Sequence, residues 1–288
     1  MEHMDGRALA EEVAGTLRNR AAALRERGIV PTLGILVVGD DERTASYIRA
    51  KERMASEIGI EVRVHRFEQS ELPDRLHDRI TKAMAHWNRD PAVHGLILQL
   101  PLPAGLDESV LLDCIDPTKD VDGLTSTNQH ALEAGQPGIV PATPLGILAL
   151  LQAYDVTVDG ATVAIVGTGR LVGQPLAHLL QARGACVRLA DRETADLAAV
   201  TRGAEIVVAA VGHPGLVTES MIDHESVLID VGLTEQHGML VGDTTEGARA
   251  KARLSTPVPG GVGPMTVVSL LGNVVQAAEQ SARSQPSA

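Results

Sequence analysis

Tyr47 and Lys51 lie four residues apart in a stretch of helical apolar spacing, so both side chains leave the same helix face. An exposed lysine stays protonated, but burial beside neutral hydrogen-bond partners lowers its amine toward neutrality and makes it usable as a general base or acid. Gln99 is a candidate partner, because it falls at the C-terminal end of a predicted strand, the edge where open parallel sheets bind ligands. The plainer reading of Tyr47 and Lys51 is a surface pair. Lys119-Asp120-Val121-Asp122-Gly123 places two carboxylates in one polar turn. Either the turn is merely solvated, or one carboxylate accepts paired N–H donors from a heterocycle. No His/Asp/Glu cluster stands at ligand spacing, so no metal is expected.

A second pattern is suited to phosphate. Val163–Val166 runs into Gly167-Thr168-Gly169-Arg170-Leu171-Val172-Gly173 and then into Leu176, Leu179 and Leu180 at helical spacing. A tight glycine turn between strand and helix lets the backbone approach a pyrophosphate while unpaired N–H groups point at it. The third glycine comes one residue later than G-x-G-x-x-G requires, so the fingerprint is a variant, and packing alone also produces such turns. Asp191 follows the next strand at the position of an acid that binds the adenosine ribose, which favours NAD. Arg192 beside it suits the 2′-phosphate of NADP, and a solvated charged turn is the alternative for both.

These residues need a frame. Leu9, Val13, Leu17, Ala21 and Leu24 predict a helix stopped by Gly28, followed by a buried strand from Leu33 to Val38. A helix over Thr44–Ile58, a strand from the alternation Val62, Val64, Phe67, a helix over Leu72–Trp87 and a strand over His94–Leu100 follow. Such alternation implies a parallel sheet covered on both faces. In Pro141-Ala-Thr-Pro144, Thr143 is a predicted helix cap, and the change of domain is placed there. Strands Thr162–Val166, Cys186–Ala190, Ile206–Ala210 and Val227–Val231 then build a second α/β unit. A last helix covers about Met265–Ser281, and the tail Ser284–Ala288 should fray.

With 288 residues there is length for two ordinary domains. One Trp, two Tyr and one Phe leave the core to aliphatic residues. Cys114 and Cys186, among apolar neighbours, read as buried thiols in a reducing cytosol. A net charge of −12 without a basic stripe opposes non-specific nucleic-acid binding and points to a small-molecule partner. No apolar run reaches membrane-spanning length, and Met1–Asp5 lacks the order of a signal peptide, so a cytoplasmic protein is expected.

Taken together and in order, five strings resemble the methylenetetrahydrofolate dehydrogenase/cyclohydrolase family over nearly the whole chain. They are Tyr47–Lys51, Gly95-Leu-Ile-Leu-Gln99-Leu-Pro-Leu-Pro103, Lys119–Gly123, the turn at Gly167 and Thr256-Pro-Val-Pro-Gly-Gly-Val-Gly-Pro-Met-Thr266. The last is the most specific, since no core-packing demand would generate it. The resemblance implies an α/β fold of two domains, residues 1–143 plus 265–288 for catalysis and folate, residues 144–264 as a Rossmann-like NAD(P) domain, with a cleft between them. It implies a homodimer that oxidises 5,10-methylenetetrahydrofolate and hydrolyses the methenyl product to 10-formyltetrahydrofolate, a donor for purine biosynthesis. By carry-over, Lys51 is catalytic, Tyr47 orients the folate, Gln99 bonds Lys51, Asp122 holds the pterin, and Pro259, Gly260 and Gly261 line the substrate. Gly167, Thr168, Gly169, Arg170, Gly173, Asp191, Arg192 and Leu233 are the implied nucleotide residues.

Departures from the family pattern qualify the cofactor. Thr168-Gly169 stands where Arg followed by Ser or Gly is common, which removes a usual 2′-phosphate contact; family habit favours NADP, while Asp191 favours NAD. Ala142 replaces a common cysteine and Thr44 a common serine. The competing readings are a cyclohydrolase with a decayed nucleotide site, a two-domain dehydrogenase of shikimate type, and a non-catalytic nucleotide sensor.

Overall fold

The computed structural model describes residues 2–284 apart from Asp40 and His237, so most of the expected frayed tail lies outside the described residues. The chain forms two compact units, one of residues 12–142 with 267–288 and one of residues 1–11 with 143–266. Both are discontinuous in sequence. Residues 1–11 fall with residues 143–266, where the Glu2–His3 strand pairs with Leu254–Ser255. Two-residue strands carry no periodicity, so neither was visible in the sequence.

In the unit built on residues 12–142, three parallel strands lie in the order Glu61–Phe67, Thr32–Val38, Gly95–Leu98. The middle strand is buried along its full length, as a parallel strand covered on both faces must be. Its core comprises Leu36 and Val38, Leu96 and Leu98, and Leu76, Ile80 and Met84 from the Pro73–Arg89 helix, whose i, i+4, i+8 spacing makes one apolar stripe. The alternation Val62, Val64, Phe67 is not matched by burial: Phe67 alone of the three is buried, because this strand is an edge of its sheet.

Gly95 permits a close approach that places the polar turn. A Cβ there would meet Val121 Cγ1 at 2.7 Å, so Val121 packs directly on the strand. The Leu96 amide donates to the Lys119 carbonyl at 2.7 Å, and Leu96 bridges Asp120 in parallel. Lys119–Gly123 thus runs beside the strand whose end carries Gln99. Asn273 fixes it further, donating from Nδ2 to the Val121 and Val140 carbonyls at 2.9 and 3.0 Å.

The other unit contains six parallel strands in the order Glu2–His3, Leu254–Ser255, Val227–Asp230, Ile206–Ala209, Thr162–Val166, Cys186–Ala190. A short antiparallel hairpin, Thr234–Gln236 with Met239–Val241, was not anticipated. The helix expected after Thr143 spans Ala142–Ala153, so Thr143 is inside it rather than capping it, and its Oγ1 accepts from Thr266 Oγ1 at 3.1 Å. The cysteines are not buried. Cys114 is half-buried and Cys186 exposed, since Cys186 opens an edge strand with neighbours on one side only. The last helix spans Val262–Ser284, three residues earlier than expected, and passes from one unit into the other along the chain.

Candidate active site

Lys51 occupies the third turn of the Glu42–Ile58 helix. That helix starts where Asp41 accepts a hydrogen bond from the Thr44 amide at 2.9 Å and stops at Gly59, whose φ of +93° suits a residue without Cβ. Across from it, Gln99 follows the Gly95–Leu98 strand, and Lys51 Nζ donates to Gln99 Oε1 at 2.7 Å. Gln99 Nε2 in turn donates to the Leu100 carbonyl at 2.8 Å, which fixes the amide with its oxygen toward the amine. Burial pushes the Lys51 pKa below the ordinary lysine range, and the nearby Asp122 charge opposes that shift without cancelling it. Asp122 is itself pushed upward by burial, with Lys51 pulling the other way and Asp120 adding to the rise.

The two acids of the polar turn separate cleanly. Asp120 is buried and saturated: Oδ1 accepts from the Leu124 amide at 3.1 Å, and Oδ2 accepts from the Thr125 amide at 2.7 Å and Asn128 Nδ2 at 2.9 Å. It holds the turn together. Asp122 is half-buried, makes no hydrogen bond among the described residues, and is the acid that faces the Lys51 charge. Tyr47 is half-buried one turn before Lys51 on the same helix. Lys119 is a structural residue, its Nζ donating to the Trp87 and Asp90 carbonyls at 3.0 and 2.7 Å at the end of the Pro73–Arg89 helix.

The sign of the Lys51–Asp122 coupling gives a testable result. Since the Asp122 charge raises the Lys51 pKa, Asp122→Asn should lower it further and move the titration to lower pH. NMR titration of the Lys51 amine in the two proteins measures this; a shift to higher pH would show that the two groups are not coupled as described.

In the other unit the glycine turn has three distinct glycines. Gly167 has φ +110°, and a Cβ on it would lie 2.3 Å from the Ala210 carbonyl oxygen. A Cβ on Gly173, where the Gly173–Gln181 helix starts, would lie 1.9 Å from the Gly167 carbonyl oxygen. Packing therefore demands both. Gly169 is exposed, and no protein atom would meet a Cβ there, so packing does not account for it. Thr168 and Arg170 are half-buried on either side of it.

Asp191 is exposed, and its Oδ1 accepts from the Glu193 amide at 3.0 Å and Thr194 Oγ1 at 3.3 Å, closing its own turn. Arg192 is exposed and makes no hydrogen bond or ion pair among the described residues. Leu233 joins Pro259, Gly260 and Gly261 around a cavity of about 150 Å³ that Arg7 also lines. The start of the first helix is pressed on that loop, for a Cβ at Gly6 would lie 1.8 Å from the Gly261 carbonyl oxygen. Neither Arg7 nor the buried acids Asp230 and Asp243 were singled out from sequence. The glycines beside those acids, Gly232 and Gly242, were the available signal.

Among the described residues no group of three His, Cys, Asp or Glu side chains is arranged to hold a metal, and no helix is long and apolar enough to cross a membrane. Residues 4–122 match the catalytic domain of tetrahydrofolate dehydrogenase/cyclohydrolase, and residues 141–282 match its NAD(P)-binding domain. The chain is 43% identical over 277 residues to the bifunctional protein FolD of Heliobacterium modesticaldum, covering 95% of each. Among solved structures, the bifunctional FolD enzyme of Campylobacter jejuni superposes with a TM-score of 0.93 at 34% identity, covering 97% of this chain and 99% of that one. The Trypanosoma brucei dehydrogenase–cyclohydrolase, complexed with NADP and an inhibitor, gives 0.91 at 33% identity, covering 97% and 98%. With a family model matched on each side of the chain and relatives this similar over nearly its whole length, the protein belongs to the tetrahydrofolate dehydrogenase/cyclohydrolase family.

Proposed function

We infer that the protein oxidises 5,10-methylenetetrahydrofolate to the 5,10-methenyl compound with NAD(P)+ and hydrolyses that product to 10-formyltetrahydrofolate. The observation that carries the hydrolytic half is the buried Lys51 amine held by the Gln99 amide and faced by Asp122. The bond to a neutral amide orients Nζ without locking it into an ion pair, and burial lowers the pKa of the amine, favouring the neutral form that can accept a proton. Water adds to the electrophilic methenyl carbon and Lys51 takes one of its protons, leaving a neutral carbinolamine; Lys51 returns that proton to the departing ring nitrogen as the C–N bond breaks, and the remaining hydroxyl loses its proton to solvent to become the formyl carbonyl. Asp122, whose carboxyl makes no hydrogen bond among the described residues, accepts N–H donors from the pterin, and Tyr47 orients the same ring.

The glycine turn fits a nicotinamide nucleotide: Gly169 leaves the backbone open, and Gly167 and Gly173 bring strand and helix close. When bound, the nicotinamide accepts the hydride lost by the methylene carbon. The chain's part in that step is placement, because the folate's own nitrogens stabilise the methenyl cation. Leu233 and the Pro259-Gly260-Gly261 loop wall the cavity on that side.

NADP+ is the proposed cofactor. Arg192 has its guanidinium uncommitted, whereas Asp191 spends one carboxylate oxygen on its own turn, and the Trypanosoma brucei relative was solved with NADP. A homodimer in the cytoplasm, feeding purine biosynthesis, completes the reading on the strength of the family resemblance.

The test is reduction of NADP+ and of NAD+, offered separately with 5,10-methylenetetrahydrofolate. The expected result is reduction with the higher kcat/KM for NADP+, and a preference cut about tenfold by Arg192→Ser, the worth of one charge-assisted contact. Reduction of neither nucleotide, with hydrolysis retained, would leave a cyclohydrolase alone.

A further inference from the structure

Asp243 is fully buried, yet it lines neither candidate site, and its two oxygens are treated differently. Oδ2 accepts from the Val211 and Gly212 amides at 2.7 and 2.9 Å. Oδ1 has no hydrogen-bond partner among the described residues and rests against Gly232, where a Cβ would come within 2.3 Å of it. Asp230, also buried, sits beside it. Oδ1 of Asp230 accepts from the Gly232 and Asp243 amides at 3.0 and 2.9 Å, and its Oδ2 accepts from the Thr244 amide at 2.9 Å and Thr244 Oγ1 at 2.5 Å. A Cβ on Gly242 would meet that Oδ2 at 2.1 Å, so backbone and carboxylates interlock.

Asp230 is offset by Arg249, whose Nη1 lies 3.6 Å from its Oδ2, but Asp243 has no ion pair among the described residues and keeps a leftover buried acceptor, which is costly. What the carboxylates join is informative. Residues 210–212 leave the Ile206–Ala209 strand, and residues 231–233 leave the neighbouring Val227–Asp230 strand, both at the C-terminal edge of the parallel sheet where ligands of this architecture bind. The first loop abuts the phosphate turn, since the Ala210 carbonyl oxygen occupies the space a Gly167 Cβ would need. The second contributes Val231, Gly232 and Leu233 to the cavity shared with the Pro257–Pro264 loop.

We propose that Asp243 is a positioning residue for the nicotinamide nucleotide: its Oδ2 holds the 210–212 loop while its own amide is held by Asp230, which also takes the Gly232 amide, so that the 210–212 and 231–233 loops keep the spacing the bound nucleotide requires. This rests on the function proposed above. Its negative charge strengthens two backbone hydrogen bonds at once, which a neutral acceptor of the same shape would do less well.

The experiment measures the Kd of NADP+ and NAD+ by calorimetry, together with methenyl hydrolysis and thermal unfolding, for the full chain carrying Asp243→Ala or Asp243→Asn. The expected result is a rise in nucleotide Kd of about tenfold for Ala and about threefold for Asn, as charged and neutral acceptors differ. Hydrolysis should stay within about twofold of the parent, because Lys51, Gln99 and Asp122 belong to the other unit. If the Ala variant fails to fold, the Asn variant decides. An unchanged Kd in folded Asp243→Asn, or a rise matched by an equal loss of hydrolysis and a lower Tm, overturns the proposal. A parent protein that binds neither nucleotide overturns the functional reading instead, and this inference with it.

Discussion

Lys51→Met should lower the enzymatic rate of methenyltetrahydrofolate hydrolysis by about 10²- to 10⁴-fold, the range removed with a general acid–base group. The argument is local. Met keeps the length and apolar body of lysine, so the helix face stays filled, while the amine that bonds Gln99 at 2.7 Å is gone. Gln99 remains anchored through the Leu100 carbonyl, so the surroundings are not released by the change. Single-turnover hydrolysis of the methenyl compound, alongside circular dichroism and thermal unfolding, measures the effect. A folded variant that still hydrolyses at the parent rate would remove Lys51 from the mechanism. Hydride transfer needs no proton from this amine, so the dehydrogenase should lose far less, which separates loss of chemistry from loss of substrate.

The second large effect belongs to the glycine turn. Gly173→Ala puts a methyl group where its distance to the Gly167 carbonyl oxygen would be 1.9 Å, and no rotamer relieves contact with backbone. The turn must open. Its expected cost is about 3 kcal/mol, the upper end of overpacking, and a misplacement of about 1 Å should reduce dehydrogenase kcat/KM by about 10²-fold. Gly169→Ala is the control, since its Cβ meets nothing in the protein. If Gly169 is present for a ligand, this variant should keep its Tm and still raise the nucleotide KM. Equal KM values for parent and Gly169→Ala would mean that the open side of the turn is not approached by the nucleotide.

The sequence disclosed most of this frame where its signals were periodic or punctuated. The Thr32–Val38 strand is a continuous apolar run and is buried throughout; the helix bearing Lys51 ends at a glycine in the left-handed region. It failed where tertiary neighbours decide. Nothing local distinguishes Asp120 from Asp122, yet one is consumed by three hydrogen bonds from residues 124–128 and the other is left facing Lys51. Cys186 reads as apolar and buried until its strand proves to be an edge. Asp243 lies in a Val-Gly-Asp-Thr segment with no local signal of its partners, because the loop it holds is 31 and 32 positions away. The pairing of Lys51 with Gln99 was expected from the family strings and from strand-edge logic together; its length and the fixed amide came from the folded chain.

The interleaving of the two units along the chain bears on biosynthesis. The unit carrying Lys51 takes residues 12–142 and then needs residues from 267 onward, where Asn273 closes the Val121 and Val140 carbonyls. During translation that unit must wait as an open intermediate while more than a hundred residues of the other are made, and its last helix can dock only after residue 273 clears the ribosome. A ribosome stalled or a message cut after the nucleotide-binding segment would therefore release a chain in which the phosphate turn is present but the lysine's scaffold is unfinished, making hydrolysis the activity more exposed to truncation.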